Sequence, residues 1–361
     1  MHIGGAENAV THLAEGLDRE RFDVSVFCTN GRGVLAERLA GQGIPVISTF
    51  PANRRFRHLT PLIIARELRR HRVDVVHTHG TPGMVHAGPL RLLGLLPPWM
   101  HTYHFGNYPL ANPREMQAER FLSRRADLLV AVGEAQRASI ITHCRLEDRP
   151  VLTVPNGVMA HGLALDPSVR AARRQEFGYT PDDIVVGGIA VLTRQKGVTF
   201  FLQAARRLAD RHPRLRFLLV GGGPLEASLR DEARQLGLDG LMTFTGFRRD
   251  VPELLTALDV WVMASLWEAM PLALIEAMAA RRVIVATAVG DNRLILADGA
   301  CGLVIPPSDA PAIVEAVERI LADPAAADAR AERGLQRFRE NYTIAHMVQN
   351  YAALYTRLGA S

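Results

Sequence analysis

Two periods alternate along almost the whole chain. In some segments apolar residues recur every three to four positions, as on one face of a helix. In others they fall on every second position or in short runs, as in strands. In the first half this pattern predicts a helix over 6–17, with Ala6, Val10, Leu13 and Leu17 on one stripe. It predicts strands at 22–27 and 44–49, then a helix at 61–72 ending in Arg-Arg-His-Arg. Basic residues suit a helix C-terminus, where the backbone dipole is negative. A strand at 73–79, a strand at 100–103 and a helix at 113–125 follow. Strands at 127–132 and 151–154 flank a helix at about 134–143. Pro155-Asn156-Gly157 is turn chemistry, and the next twenty or so residues are polar and irregular.

The alternation then restarts. It predicts strands at 184–191, 215–220, 241–245, 260–264, 283–286 and 303–305, with helices between them. Helical patterns at about 309–322, 325–340 and 344–358 close the chain. Strands joined by helices give parallel sheets with helices on both faces. The expected architecture is therefore α/β, two doubly wound domains in tandem, with domains at 1–158 and 159–341. Gly4-Gly5 reads as a tight turn entering the first helix. Such a turn follows a strand, yet only Met1-His2-Ile3 precede it, so the first strand of the N-terminal sheet is expected to be missing.

Composition narrows the class. At about 150 residues per domain, 361 residues make two domains. With 48% hydrophobic and 22% charged residues the chain is neither disordered nor fibrous. Cys28, Cys144 and Cys301 are too few for a disulfide framework, which points to a reducing, cytoplasmic setting. The most apolar stretch, 88–100, is broken by Arg91, Pro97 and Pro98 and is too short to span a bilayer. The net charge of +5 lies entirely in residues 1–160, which hold 19 basic and 14 acidic residues. That half suits an anionic partner such as a lipid surface, although solvated arginine-rich helix faces would read the same way. Of 42 basic residues only Lys196 is a lysine. Lysine is a compact point charge and arginine a flat fork, so a single lysine invites a specific role.

In open parallel sheets ligands bind beyond the carboxyl ends of the strands. The distinctive polar residues fall there: His77-Thr78-His79, His101 to Gly106, Thr193 to Gly197, Gly221 to Pro224 and Ser265 to Pro271. Arg194 and Lys196 at a strand-to-helix turn make an anion site, most naturally for phosphate, and Gly197 lets backbone approach. A helix-start ion pair is the plainer alternative. Gly221-Gly222-Gly223 resembles a phosphate loop but matches neither G-x-G-x-x-G nor the P-loop, and a packing turn explains it equally. Glu276 is the one charge in an otherwise apolar helix at 272–280, and Glu268 lies in the loop before it. Such carboxylates need a partner, either a sugar or ribose hydroxyl or a buried arginine. His77, His79, His86, His101 and His104 cluster, but no Cys or carboxylate set accompanies them as a zinc site would require. Acid–base or sugar contact and simple packing remain open for them.

Taken in order, these pieces resemble the retaining glycosyltransferases of family 4. They are Gly4-Gly5-Ala6-Glu7, Val76-His77-Thr78-His79, Tyr103-His104-Phe105-Gly106, Pro155-Asn156-Gly157-Val158, Gln195-Lys196-Gly197 and Gly221 to Pro224. The most specific is Glu268-Ala269-Met270-Pro271 through Glu276, the E-x₇-E motif. The resemblance implies a GT-B fold of two Rossmann-like domains facing a central cleft, with the last helix, about 342–361, returning to the first domain. It implies a nucleotide-diphosphate sugar as donor and a glycan or lipid-linked acceptor, in polysaccharide or glycolipid biosynthesis. It implies no cofactor, no metal and no nucleic acid, and at most peripheral contact with the inner membrane face. By resemblance Lys196 and Arg194 hold the diphosphate and Glu276 the ribose. Glu268 contacts the transferred sugar, helped by backbone near Ala269, Met270 and Leu272. His104 serves sugar and acceptor, and Gly4 and Gly5 approach the phosphates. The chain departs from the family with Ala269 where glycine is common, Val191 at the usual arginine position, Leu294 where glutamate is frequent, and Ala280-Arg281-Arg282 in place of small residues. A non-catalytic nucleotide-sugar-binding protein is the alternative reading.

Overall fold

The computed structural model describes residues 5–29, 31, 33–48, 60–104, 113–159 and 167–360. Contacts divide the chain into two units, 1–157 with 344–361, and 158–343. Unit 1 contains α1 (Gly5–Gly16), β1 (Val26–Cys28), α2 (Val34–Gly41), β2 (Val46–Ser48), α3 (Thr60–Arg70) and β3 (Val76–His79). It continues with α4 (Gly80–Leu92), β4 (Trp99–Tyr103), α5 (Pro113–Ser123), β5 (Leu128–Ala131), α6 (Glu134–Cys144) and β6 (Val151–Thr153). Unit 2 contains α7 (Pro167–Glu176), β7 (Ile184–Ile189), α8 (Val198–Arg211), β8 (Leu215–Val220), α9 (Glu226–Gln235), β9 (Met242–Phe244) and α10 (Val251–Ala257). After these come β10 (Val260–Met263), α11 (Leu272–Ala279), β11 (Val283–Thr287), α12 (Asn292–Ile295), β12 (Leu303–Ile305), α13 (Ala310–Ala322) and α14 (Pro324–Asn341). The final helix, α15 (Ile344–Gly359), belongs to unit 1.

In unit 1 every strand pair is parallel, and the described strands form two sheets, β1-β2 and β3-β4-β5-β6. Residues 1–3, where the first strand was expected to be lacking, and Gly4 lie outside the described residues. The larger sheet is buried on both faces because its side chains alternate between two apolar layers. Trp99, Tyr103, Leu129 and Val151 pack with Ala65, Met84, Leu90, Leu122 and Ile140 from α3 to α6. Met100, Leu128 and Val130 pack with Leu13, Met347, Tyr351 and Leu358 from α1 and α15. A Cβ on Gly16 would come 2.6 Å from Val348 Cγ2, so a glycine there lets α1 lie close against α15.

Unit 2 is a single parallel sheet in the order β12-β11-β10-β7-β8-β9. This is the doubly wound order, and it reverses between β7 and β10, whose residues Val186 and Val260 pair directly. The long apolar runs of β7, β8 and β10 suit strands covered on both faces, and Phe217, Trp261 and Val285 are fully buried. The segment read as irregular after Gly157 departs from expectation, since α7 occupies its second half. That helix packs through arginines rather than an apolar stripe. Arg170 and Arg174 both bind Asp259, and Arg173 binds Glu253.

Candidate active site

The switch point of unit 2 sets β7 and β10 side by side, so the loops leaving their carboxyl ends meet. The loop after β7 makes a single 3-10 turn, Arg194–Lys196, closed by Gly197 at φ +57°. A Cβ on Gly197 would lie 2.2 Å from the Ala264 carbonyl oxygen, so only glycine lets this turn press on the end of β10. Leu266 N donates to Gln195 O at 2.7 Å. The Gln195 amide donates to Trp267 O at 2.9 Å and to Glu268 Oε2 at 3.2 Å.

Lys196 and Glu268, 72 residues apart, meet here. The Lys196 ammonium donates to Glu268 Oε1 at 2.6 Å, and the Ser265 hydroxyl donates to the same oxygen at 2.8 Å. The Glu268 side chain is 6% exposed and that of Lys196 21%. Glu268 is thus a buried carboxylate satisfied by one cation, one hydroxyl and one amide. Behind it, Gly290 at φ +51° lies against the Glu268 and Ala269 carbonyls, where a Cβ would come within 2.5 and 2.6 Å. Asp291 N donates to Ala269 O, and Thr287 Oγ1 to Ser265 O. Three loops are therefore knitted around one carboxylate.

Pro271 ends the Glu268 loop, and α11 starts at Leu272 with no side-chain cap. Its first turn points amide groups and the positive end of the helix dipole outward, an arrangement suited to an anion. Ala269, Met270 and Leu272 are buried at this turn. Glu276 is half-buried, and among the described residues no hydrogen bond or ion pair reaches its carboxyl. Loss of water raises its pKa to about 7. Among the described residues it has no buried arginine partner of the kind considered from sequence. Arg194 is exposed, and no described acceptor engages its guanidinium.

The glycines after β8 act as packing residues. A Cβ on Gly221 would come 1.9 Å from Ala190 O, and one on Gly223 2.6 Å from Leu192 N and O. Arg281, one of the departures from the family pattern, pairs with Asp328 and Glu332 on α14. Val191 and Leu294 are both exposed.

In unit 1 the histidines collect at the ends of β3 and β4, brought level by the register His77↔Met100 and His79↔Thr102. His77 is held at both nitrogens, by Tyr355 Oη at 2.7 Å and Thr102 Oγ1 at 2.8 Å. Thr102 also meets the Tyr351 hydroxyl at 3.2 Å, so α15 is tied to the strand ends by a polar chain. His101 Nδ1 bonds Thr78, and its buried Nε2 has no partner among the described residues. His79 Nδ1 lies 2.9 Å from His104 Nε2. Burial pushes His104 down to about 4 and His101 to about 3, with His77 and His79 also well below the usual range. All four are neutral at physiological pH. His86 lies on α4. Gly5 is the first residue of α1.

Sequence reasoning missed Gln195 and Ser265 as partners of Glu268, and Tyr351 and Tyr355 as partners of the strand ends. The i,i+4 spacing of the two tyrosines was the available signal, because it places both hydroxyls on one helix face.

The family model described as Glycosyltransferase Family 4 matches residues 3–160, and that of Glycosyl transferases group 1 matches 169–337. The chain is 30% identical over 194 residues to an alpha-D-kanosaminyltransferase of Streptomyces kanamyceticus, covering 53% of this chain and 50% of that protein. It is 24% identical over 336 residues to a UDP-Gal:alpha-D-GlcNAc-diphosphoundecaprenol alpha-1,3-galactosyltransferase of Escherichia coli, covering 89% and 86%. The Anabaena protein HepE, solved in complex with UDP-glucose, superimposes with a TM-score of 0.86 at 21% identity, over 99% of this chain and 97% of that one. With parallel sheets and helices in both units and family matches over both, the chain belongs to the family 4 glycosyltransferases and has the GT-B fold.

Proposed function

We propose that this transferase moves a hexosyl unit, with retention of anomeric configuration, from a nucleotide-diphosphate sugar to a glycan or lipid-linked acceptor. The observation that carries the reading is the pairing of Lys196 with Glu268 at the switch point, beside the uncapped start of α11 and a Glu276 carboxyl that no described residue engages. A ribose hydroxyl donating to Glu276 would replace the water that burial removes. The diphosphate fits the amide end of α11 with Lys196 and Arg194. The ammonium has three N–H groups, so Lys196 can serve a phosphate oxygen while keeping Glu268. Glu268 is assigned to the transferred sugar, and His104 of unit 1 to sugar and acceptor.

In this reading the bond from the anomeric carbon to the diphosphate oxygen breaks as the acceptor oxygen bonds to that carbon on the same face. The departing phosphate takes the acceptor proton. Negative charge grows on the leaving group, and fixed cations and amides aimed at it stabilise that growth. The reading assigns this charge work to Lys196, Arg194 and α11 and calls on no metal ion or cofactor. Among the described residues no helix is long and apolar enough to cross a membrane. Peripheral docking of unit 1 on the anionic inner face of a membrane is supported by exposed Leu62, Arg66, Arg69 and Arg70 on α3, Leu92 on α4 and Leu93 just after it.

The test is a thermal-shift panel of UDP, GDP, ADP and dTDP. UDP is the first choice because HepE, of the same fold, is solved with UDP. A ligand at about 100 times its Kd adds roughly 2.7 kcal/mol. The stabilising base selects the nucleotide sugar for acceptor screening, and NMR of the product's anomeric signal reads retention. Stabilisation without transfer to any acceptor would favour the non-catalytic binding protein.

A further inference from the structure

We propose that His79 is the positioning residue for His104, fixing its ring by a direct imidazole–imidazole hydrogen bond and so deciding what His104 offers a sugar. This rests on the reading that His104 meets a sugar-bearing ligand. The two rings lie 5.2 Å apart at 28°, with Nδ1 of His79 2.9 Å from Nε2 of His104. An N–H···N bond requires one protonated and one bare nitrogen. Both rings are neutral, so each carries one proton and only two arrangements exist.

In the first, His79 Nδ1–H donates, and the His104 proton sits on Nδ1. In the second, His104 Nε2–H donates, its Nδ1 is bare, and the His79 proton sits on Nε2. In either case the pair turns one donor and one acceptor to whatever it meets. Hydroxyl groups donate and accept, so neighbouring hydroxyls of a sugar satisfy both arrangements. No described group engages His104 Nδ1 or His79 Nε2, and both residues keep partial exposure.

The support behind His79 is rigid. Its ring lies 3.9 Å from that of His77, which Tyr355 and Thr102 hold at both nitrogens. Its backbone pairs with Thr102, two residues before His104. A chain of contacts thus runs from α15 through His77 and His79 to His104, all within unit 1.

Two measurements test the assignment. In wild-type protein labelled with ¹⁵N-histidine, NMR should show a scalar coupling between the Nδ1 of one ring and the Nε2 of another, lost in His79→Ala. In transfer assays His79→Ala should lower kcat 10- to 100-fold, with nucleotide affinity unchanged within twofold. His79→Asn, whose side-chain amide can occupy the Nδ1 position, should recover at least fivefold of that loss. Absence of the coupling, or full activity in a folded His79→Ala, overturns the proposal. The NMR signal needs no substrate. A coupling in a protein that transfers nothing refutes the proposed function and leaves the pair standing, whereas transfer without the coupling does the reverse.

Discussion

Replacing Lys196 with alanine should damage the protein twice, and the two effects can be separated. Removing the ammonium leaves Glu268 as a buried charge with only Ser265 and Gln195 as donors. Breaking a buried ion pair from one side costs about 3–5 kcal/mol. Lys196 is partly exposed and two donors remain, so about 2–3 kcal/mol is expected here. A unit of this size loses roughly 2–4 °C per kcal/mol, so Tm should fall by about 5–10 °C. Adding Glu268→Gln removes the stranded charge and should return most of that loss. Activity should not follow stability. Loss of a group that stabilises charge on the leaving group costs at least about 10²-fold in kcat, and the double variant should stay at that level. Lys196→Arg should fold well but transfer poorly, because a planar fork cannot share one point charge between carboxylate and phosphate. Calorimetry and transfer rates on the four proteins decide the matter. A Lys196→Ala protein with unchanged Tm and a rate within fivefold of wild type would refute both the buried pair and its catalytic use.

Three further outcomes follow from the same geometry. Ribose hydroxyls bind a carboxylate better than a carboxylic acid, so affinity for a nucleotide sugar should weaken as pH falls through about 7, where Glu276 takes up its proton. Titration calorimetry from pH 8 to 6 should show this, and Glu276→Gln should flatten it. The neutral histidines of unit 1 have folded-state pKa values below those of the unfolded chain, with His104 at about 4 and His101 at about 3. The unfolded state therefore binds more protons below about 6.5, and stability should be full above that pH and decline progressively towards pH 4. Urea melts at pH 7.5 and 5 measure the difference, and His101→Gln should reduce it. Gly197→Ala forces a Cβ to within 2.2 Å of the Ala264 carbonyl at a left-handed φ, and should cost about 2–4 kcal/mol in a denaturant melt.

How much of this was legible depends on what kind of force holds each part. The strands at 215–220 and 303–305 were read at their true limits, since Arg214 and Gly221 bound the first and Gly302 and Pro306 the second. The strand expected at 22–27 forms only at Val26–Cys28. Phe22 and Val24 do pack against the apolar layers, but alternation reports burial rather than backbone pairing. Two kinds of helix escaped. α4 carries Gly80, Gly83, Gly88, Pro82 and Pro89, so propensity argues against it. It forms because packing needs those gaps, as at Gly88, where a Cβ would lie 2.4 Å from Leu122. α7 has no apolar period because its partners are Asp259 and Glu253, far along the chain.

The site divides along a similar line. Residue chemistry and strand-end position were enough to single out Lys196, Glu268 and Glu276 individually. Strand order was not readable, and it is the order β10-β7 that brings two loops 72 residues apart into contact. The family resemblance therefore assigned Lys196 and Glu268 to separate parts of a donor, whereas the fold pairs them with each other. The ion pair has a consequence for binding. The cation site is assembled in advance by a carboxylate that holds the ammonium in place, at the cost of part of its charge. A diphosphate sharing the ammonium with Glu268 would meet only the remainder of its charge, so nucleotide affinity should rise in Glu268→Gln even as transfer falls. Tighter nucleotide binding with slower chemistry in that variant would separate holding the leaving group from handling the sugar.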